Sequence, residues 1–204
     1  SEMCIRDRAN TDDGSCIYEG CTDQSACNYD SSAIIDDNSY DAVYSAHNIE
    51  HVYAHEIRTA LSEMYRVIKE DGFLFITCPD LQSVCDEVAK GNLFNPLYKL
   101  ENGEGIAAID ILYGHRPSLK AGNHYMAHKS GFISSELIKE LRTIGFSSIA
   151  AVKSREAYQL WCLAYKKTIK TQDQLNKEIL LHFDNNINAN GNNTKNNGID
   201  KYFL

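Results

Sequence analysis

Residues 40–80 read YDAVYSAHNIEHVYAHEIRTALSEMYRVIKEDGFLFITCPD. The order is strand, polar turn, amphipathic helix, glycine, strand. Asp41 to Ser45 is the first strand, with Val43 and Tyr44 as β-formers. A helix is predicted from about Ala54. Ile57, Leu61, Met64 and Ile68, with Ala60 and Val67 beside them, recur at helical spacing and mark one buried face. Lys69 is placed in its last turn, and Gly72 at the left-handed position that stops it. Phe73 to Ile76 is a continuous apolar run, as expected of a strand buried on both faces, and Pro79 ends it. A crossover of this length joins parallel strands, so the stretch is a βαβ unit.

Elements of the same kind extend downstream. Leu81 to Lys90 is a short helix closed by Gly91. Residues 91–131 have a weaker pattern, rich in Gly, Asn, His and Tyr, the material that builds a crevice at the carboxyl ends of strands, and Asp110 to His128 within them reads as helix-poor. Ser134 is placed as the cap of a helix with Leu137, Leu141 and Ile144 inward and Gly145 as its stop. Ser147 to Val152 and Tyr158 to Tyr165 are strands whose short connection implies an antiparallel pair. A short helix is expected over Leu175 to Phe183, within a low-complexity Asn-rich tail, 168–204.

The quoted stretch, with residues 38–166 around it, resembles the middle and end of a class I S-adenosylmethionine (SAM)-dependent methyltransferase of the type 11-like kind. That family follows a strand with a polar segment of the form H-x-x-E-H, then a helix ending R-V-L-K-P-G-G and a further strand. Here His47, Glu50 and His51 carry the first pattern and Arg66, Val67, Ile68, Lys69 and Gly72 the second, with Glu70 and Asp71 in place of Pro-Gly. The resemblance implies an α/β fold. It would be a partial Rossmann-like sheet of the family's last four strands, the final strand antiparallel, between disordered termini. It implies SAM as cofactor, contacted by Ser45, His47 and Asn48, and a small-molecule acceptor. The family also holds SAM with a Gly-rich turn after its first strand, and no G-x-G-x-G lies ahead of Tyr40. The chain therefore reads as the C-terminal half of the domain, an inactive fragment expected to bind SAM poorly and to fold weakly.

Two clusters carry chemistry. His47, Asn48, Glu50 and His51 follow a parallel strand, where open α/β sheets place their sites. His47 or His51 can act as base toward an acceptor's proton. Glu50 can instead satisfy free N–H groups at the helix start, and His47 can be a simple turn residue. The second cluster is Asp110 to His128. Arg116 can clamp a carboxylate or phosphate, His115, His124 and His128 are acid-base or substrate-contact candidates, and Tyr113 and Tyr125 can stack or hydrogen-bond; a solvated loop is the alternative. Asp80, after the second strand, joins the substrate-contact set. H-x-x-E-H is also the inverted zinc-protease motif. Zinc would need both histidines on one helix face and a third ligand from far along the chain, so no metal is expected.

Composition bounds the rest. The 204 residues carry 43% hydrophobic residues and a formal charge of −8, which suits a globular domain and argues against a nucleic-acid surface. No run approaches the ~20 apolar residues of a membrane span, and no leader is visible; a cytoplasmic location is expected. Residues 1–8 resemble translated adapter sequence from environmental assemblies and are set aside. Residues 9–37 form an imperfect Cys- and Asp-rich repeat like those of secreted bacterial surface proteins. Their aspartates can serve a calcium ion or simply a polar linker. A secreted interaction fragment is thus the non-enzymatic alternative. Cys4, Cys16, Cys21 and Cys27 suit a secreted framework and Cys78, Cys85 and Cys162 a reduced compartment, so a join is inferred and the repeat is not expected to pack on the 38–167 core.

Overall fold

The computed structural model describes residues 38–100, 102–154 and 158–189. The Cys/Asp repeat with its calcium alternative, its expected failure to dock, and the Asn-rich segment beyond residue 189 lie outside the described residues. In chain order the elements are β1 (Tyr40–Ala46), a 3-10 turn (Ile49–His51), α1 (Ile57–Val67), β2 (Ile68–Pro79) and α2 (Leu81–Ala89). Next come β3 (Pro96–Lys99), β4 (Gly105–Ala107), α3 (Ala108–Tyr113), α4 (Arg116–Lys120) and a second 3-10 turn (His124–Met126). The chain continues through α5 (Ser134–Ile144), β5 (Ser148–Ser154), β6 (Gln159–Tyr165) and α6 (Gln172–Ala189).

Among the described residues, four strands form one mixed sheet in the order β1-β2-β6-β5. β1 and β2 are parallel, with Val43 opposite Leu74 and Ser45 opposite Ile76. β6 runs antiparallel to both neighbours, its Cys162 facing Ile76 on β2 and Ala151 on β5. The protein is therefore an α/β fold with a reversed last strand, as expected; that strand is inserted between β2 and β5, a position the sequence reading did not give. β3 and β4 make a separate antiparallel pair.

Strand side chains alternate between the faces of a sheet, and two apolar clusters follow. Leu74, Ile76, Cys78 and Cys162 pack with Leu61 and Met64 of α1 and Leu137 and Leu141 of α5. Phe75, Leu163, Ala150 and Val152 pack with Leu175 and Ile179 of α6. The amphipathic stripes read from sequence are thus the buried stripes. The last helix is longer than expected, and its first turns complete the core rather than belonging to a polar tail.

Several local expectations are corrected. α1 begins three residues late, because turns occupy Tyr53 to Glu56. It ends at Val67, and neither Lys69 nor Gly72 caps it; both lie inside β2. The Lys166 ammonium does that work, donating to Ile68 O (2.8 Å) and Arg66 O (3.4 Å), while Asn38 N donates to Arg66 O (3.1 Å). Gly72 is small for another reason: a Cβ there would stand 2.5 Å from Asp41 O and 2.7 Å from Ile68 Cγ2, where β1 and β2 approach. Ser134 is the first residue of α5 rather than its cap; Ile133 holds the cap position without a side-chain bond. The segment from Asp110 to His128 is not helix-poor, since it holds most of α3, all of α4 and a 3-10 turn.

Candidate functional site

The carboxyl ends of β1 and β2 position the site. β1 delivers Ser45 into the interior, where its hydroxyl is buried without a hydrogen-bond partner. His47 then takes a left-handed backbone (φ 46°) and its N–H donates to Thr77 O of β2 (2.9 Å). This bend turns the chain from the strand into the 3-10 turn. Ile49 is wholly buried beneath it and Glu50 almost so.

The side chain of Glu50 does not cap the helix. Its Oε1 accepts from Nδ1 of His47 (3.2 Å), while Oε2 is buried with no partner. Its backbone oxygen receives the N–H groups of Lys129 (2.8 Å) and Ser130 (3.0 Å). The segment before α5 is thereby fastened onto the β1–α1 loop. Burial alone would lower the pKa of His47, but the hydrogen bond and negative charge of Glu50, with a further bond to Gln159, outweigh it and raise the pKa above its ordinary value.

His128 arrives from this fastened segment. Its backbone N–H donates to Tyr113 O (3.2 Å) and its Nδ1 bonds to Ile111 O (2.7 Å). Gly114 makes the approach possible: it sits at φ 103°, and a Cβ there would collide with Met126 O at 1.9 Å. His51 bonds through its own Nδ1 to Ala127 O (3.1 Å). The rings of His51 and His128 meet edge to face, 4.9 Å between centroids. Burial is the leading influence on His128 and lowers its pKa. His128 of the second cluster thus joins Glu50 and His51 of the first.

The remaining candidates are engaged elsewhere. Asp80 is fully buried and caps α2, accepting from Gln82 N (3.3 Å) and the Ser83 hydroxyl, with Lys153 Nζ 3.5 Å away. Arg116 forks onto Asp110 at 2.6 and 2.9 Å, so its guanidinium is occupied rather than open to a ligand's carboxylate. His115 bonds to Ser118 Oγ (2.9 Å) and lies 3.2 Å from Glu104. His124 and Tyr125 are exposed on the second 3-10 turn. Asn48 starts the first 3-10 turn through its carbonyl, which takes His51 N–H at 2.9 Å. Asp110, singled out from sequence only as the start of a segment, anchors the second cluster: it also accepts Ala107 N–H at 2.9 Å. No spacing rule marks a single buried Asp in a loop-like stretch. The inverted-protease geometry is not formed, because His47 and His51 share no α-helix.

A family model described as a methyltransferase domain matches residues 18–76, which include β1, the H-x-x-E-H turn, α1 and most of β2. The resemblance drawn from residues 40–80 is thereby shown, and the match reaches back into residues ahead of Asn38. No curated protein matches. Among solved structures, the chain is similar to a SAM-dependent methyltransferase and possible histamine N-methyltransferase from Thermotoga maritima. The identity is 17%, covering 65% of this chain and 58% of that one, with a TM-score of 0.40. It is similar also to 1,6-didemethyltoxoflavin-N1-methyltransferase of Burkholderia thailandensis, solved with S-adenosylhomocysteine; the identity is 14%, covering 65% and 46%, TM-score 0.39. An O-methyltransferase family protein of the same organism gives 11% identity, 67% and 33% coverage and a TM-score of 0.41. The chain spans 58% or less of the length of these proteins. Among the described residues, no helix is long and apolar enough to cross a membrane.

Proposed function

We propose that this chain is the C-terminal half of a methyltransferase domain whose intact parent transfers a methyl group from SAM to a small-molecule acceptor. The observation that carries the reading is the family match over β1, the H-x-x-E-H turn, α1 and β2. The residues here fit one wall of a cofactor crevice. Ser45 Oγ is buried and partnerless at the carboxyl end of β1, beside His47 and Asn48, as a polar ligand edge requires. SAM would supply an activated methyl group on sulfur. Among the described residues no Gly-rich turn provides the opposite wall, which supports reading this chain as one part of the domain.

What the chain's own residues can do follows from their bonds. Glu50 holds the proton of His47 at Nδ1, and His47 also bonds to the Gln159 side chain, so it would serve as base toward an acceptor only where that second bond gives way. His51 and His128 are each fixed by a backbone carbonyl. The test is calorimetric titration of SAM into the 204-residue chain and into the gene product extended upstream. We expect binding only by the extended protein, with transfer of labelled methyl to a pool of small-molecule acceptors. An extended protein that leaves SAM untouched would sink the proposal, and tight binding by the short chain would remove its fragment clause.

A further inference from the structure

We propose that Glu50, His51 and His128 bind one divalent transition-metal ion through two imidazoles and one carboxylate. One ligand atom from each lies within 4.8 Å of the others. The proposal is independent of methyl transfer, since it rests on the protonation these contacts impose.

A carbonyl oxygen can only accept. The bonds from His51 Nδ1 to Ala127 O (3.1 Å) and from His128 Nδ1 to Ile111 O (2.7 Å) therefore fix a proton on Nδ1 of each ring. In the neutral imidazole this leaves Nε2 of both as a bare lone pair. It is also the arrangement by which proteins orient metal-ligating histidines, the outer nitrogen bonded to a backbone carbonyl. The third member is Glu50, 1% exposed, whose Oε2 has no partner although Oε1 is satisfied by His47. A buried carboxylate oxygen left bare is costly. Two imidazole lone pairs and a carboxylate oxygen are all acceptors, and a cation satisfies the three together.

The chemistry of the set selects the ion. Two histidines and one carboxylate suit zinc, iron(II) or cobalt(II), whereas calcium and magnesium favour all-oxygen shells. Ligands held ~2.0–2.2 Å from one ion stand roughly 3.4 Å apart in a tetrahedral site, against the 4.8 Å within which one ligand atom of each residue lies here. Three protein ligands would leave a fourth coordination position open. His47 is a positioning residue, because its bond orients Glu50. The ion would also pin the segment before α5 to the β1–α1 loop, which are otherwise joined at Glu50 by backbone bonds.

The test uses the 204-residue chain, stripped with chelator and titrated with cobalt(II), both in native form and with Cys4, Cys16, Cys21 and Cys27 replaced by serine. We expect saturable visible absorption at one equivalent without a thiolate charge-transfer band. Glu50→Gln, His51→Asn and His128→Asn should each weaken binding at least tenfold while the far-ultraviolet circular dichroism of the metal-free protein is kept; even outer-shell losses reach ~10–100-fold. His47→Asn should weaken it less. No saturable binding, or binding that all three variants leave unchanged, overturns the proposal. If a variant loses its fold, X-ray absorption of the zinc-loaded wild-type chain decides. Two imidazoles and an oxygen support the site, and a sulfur shell or a single imidazole refutes it.

Discussion

The two borders of the main sheet are built differently. At one border β5 is flanked by α5 on one face and α6 on the other, and five of its seven residues are buried. At the other border β1 has seven residues of which only Ser45 is buried. Tyr44 stacks on Phe75 at 5.4 Å yet remains 57% exposed, on the face that α6 covers farther along. Both strands hold apolar residues at alternate positions. A pattern of alternation therefore sets which side chains share a face, while burial depends on what the rest of the chain lays over that face. An apolar border strand is also the place where further strands add or chains associate.

The largest expected effect lies at the covered end. Leu163 is wholly buried between β2, β5 and α6, so Leu163→Ala should cost ~2–5 kcal/mol in urea denaturation. Val43 on β1 is only half-buried, and Val43→Ala should cost about 1 kcal/mol or less. Equal losses would erase the contrast between the borders.

Gly72→Ala probes the seam that joins the exposed strand to the rest. The new methyl group meets the backbone oxygen of Asp41, which cannot swing aside as a side chain would. We expect a loss of ~1–3 kcal/mol, with faster amide exchange in β1 than in β6. Uniform exchange across the sheet would show that β1 is held by more than its pairing with β2.

Ion pairs repeat the contrast. The carboxyl of Asp110 is buried, which raises its pKa, but the Arg116 hydrogen bonds and charge, with two backbone N–H groups, lower it further, to a net value below the ordinary carboxylate range. A folded pKa below the unfolded one contributes stability above about pH 4, lost as pH falls through the folded value. Acid denaturation of Asp110→Asn should therefore be shallower than wild type below about pH 4. Parallel curves would show that the pair does not titrate with folding.

The smallest effect is expected at the exposed border. Asp41 and Lys69 pair at 2.8 Å across β1 and β2, but both are open to water and screened. Asp41→Asn should leave the denaturation midpoint within error at ordinary salt. A clear loss would mean that this pair clamps β1 despite its exposure.

The strand–helix–strand core was legible because it depends on short-range periodicity. Leu61, Met64, Leu137 and Leu141 were placed inward from helical spacing and Leu74 and Ile76 from a continuous apolar run, and they are buried. The parallel pair and the reversed last strand followed from connection length, which is also local. Helix ends were less legible. Gly72 has the right residue type for a stop, yet the carbonyls at the end of α1 and just beyond it, Arg66 O and Ile68 O, are satisfied by the distant residues Lys166 and Asn38. Arg116 was readable as an anion clamp because no sequence rule reports that Asp110 already occupies it.

The site divides in the same way. Sequence determined that His47, Glu50 and His51 follow a parallel strand, since three residues within five positions travel together on any backbone. Only the tertiary structure decided that His128 joins them, that Glu50 turns to His47 instead of the helix end, and that one of its oxygens is left bare. Those outcomes hang on a close approach at Gly114 and on two backbone bonds to Glu50 O. Contacts between segments so far apart in the chain form only once the sheet and its helices have packed, and no local pattern encodes them.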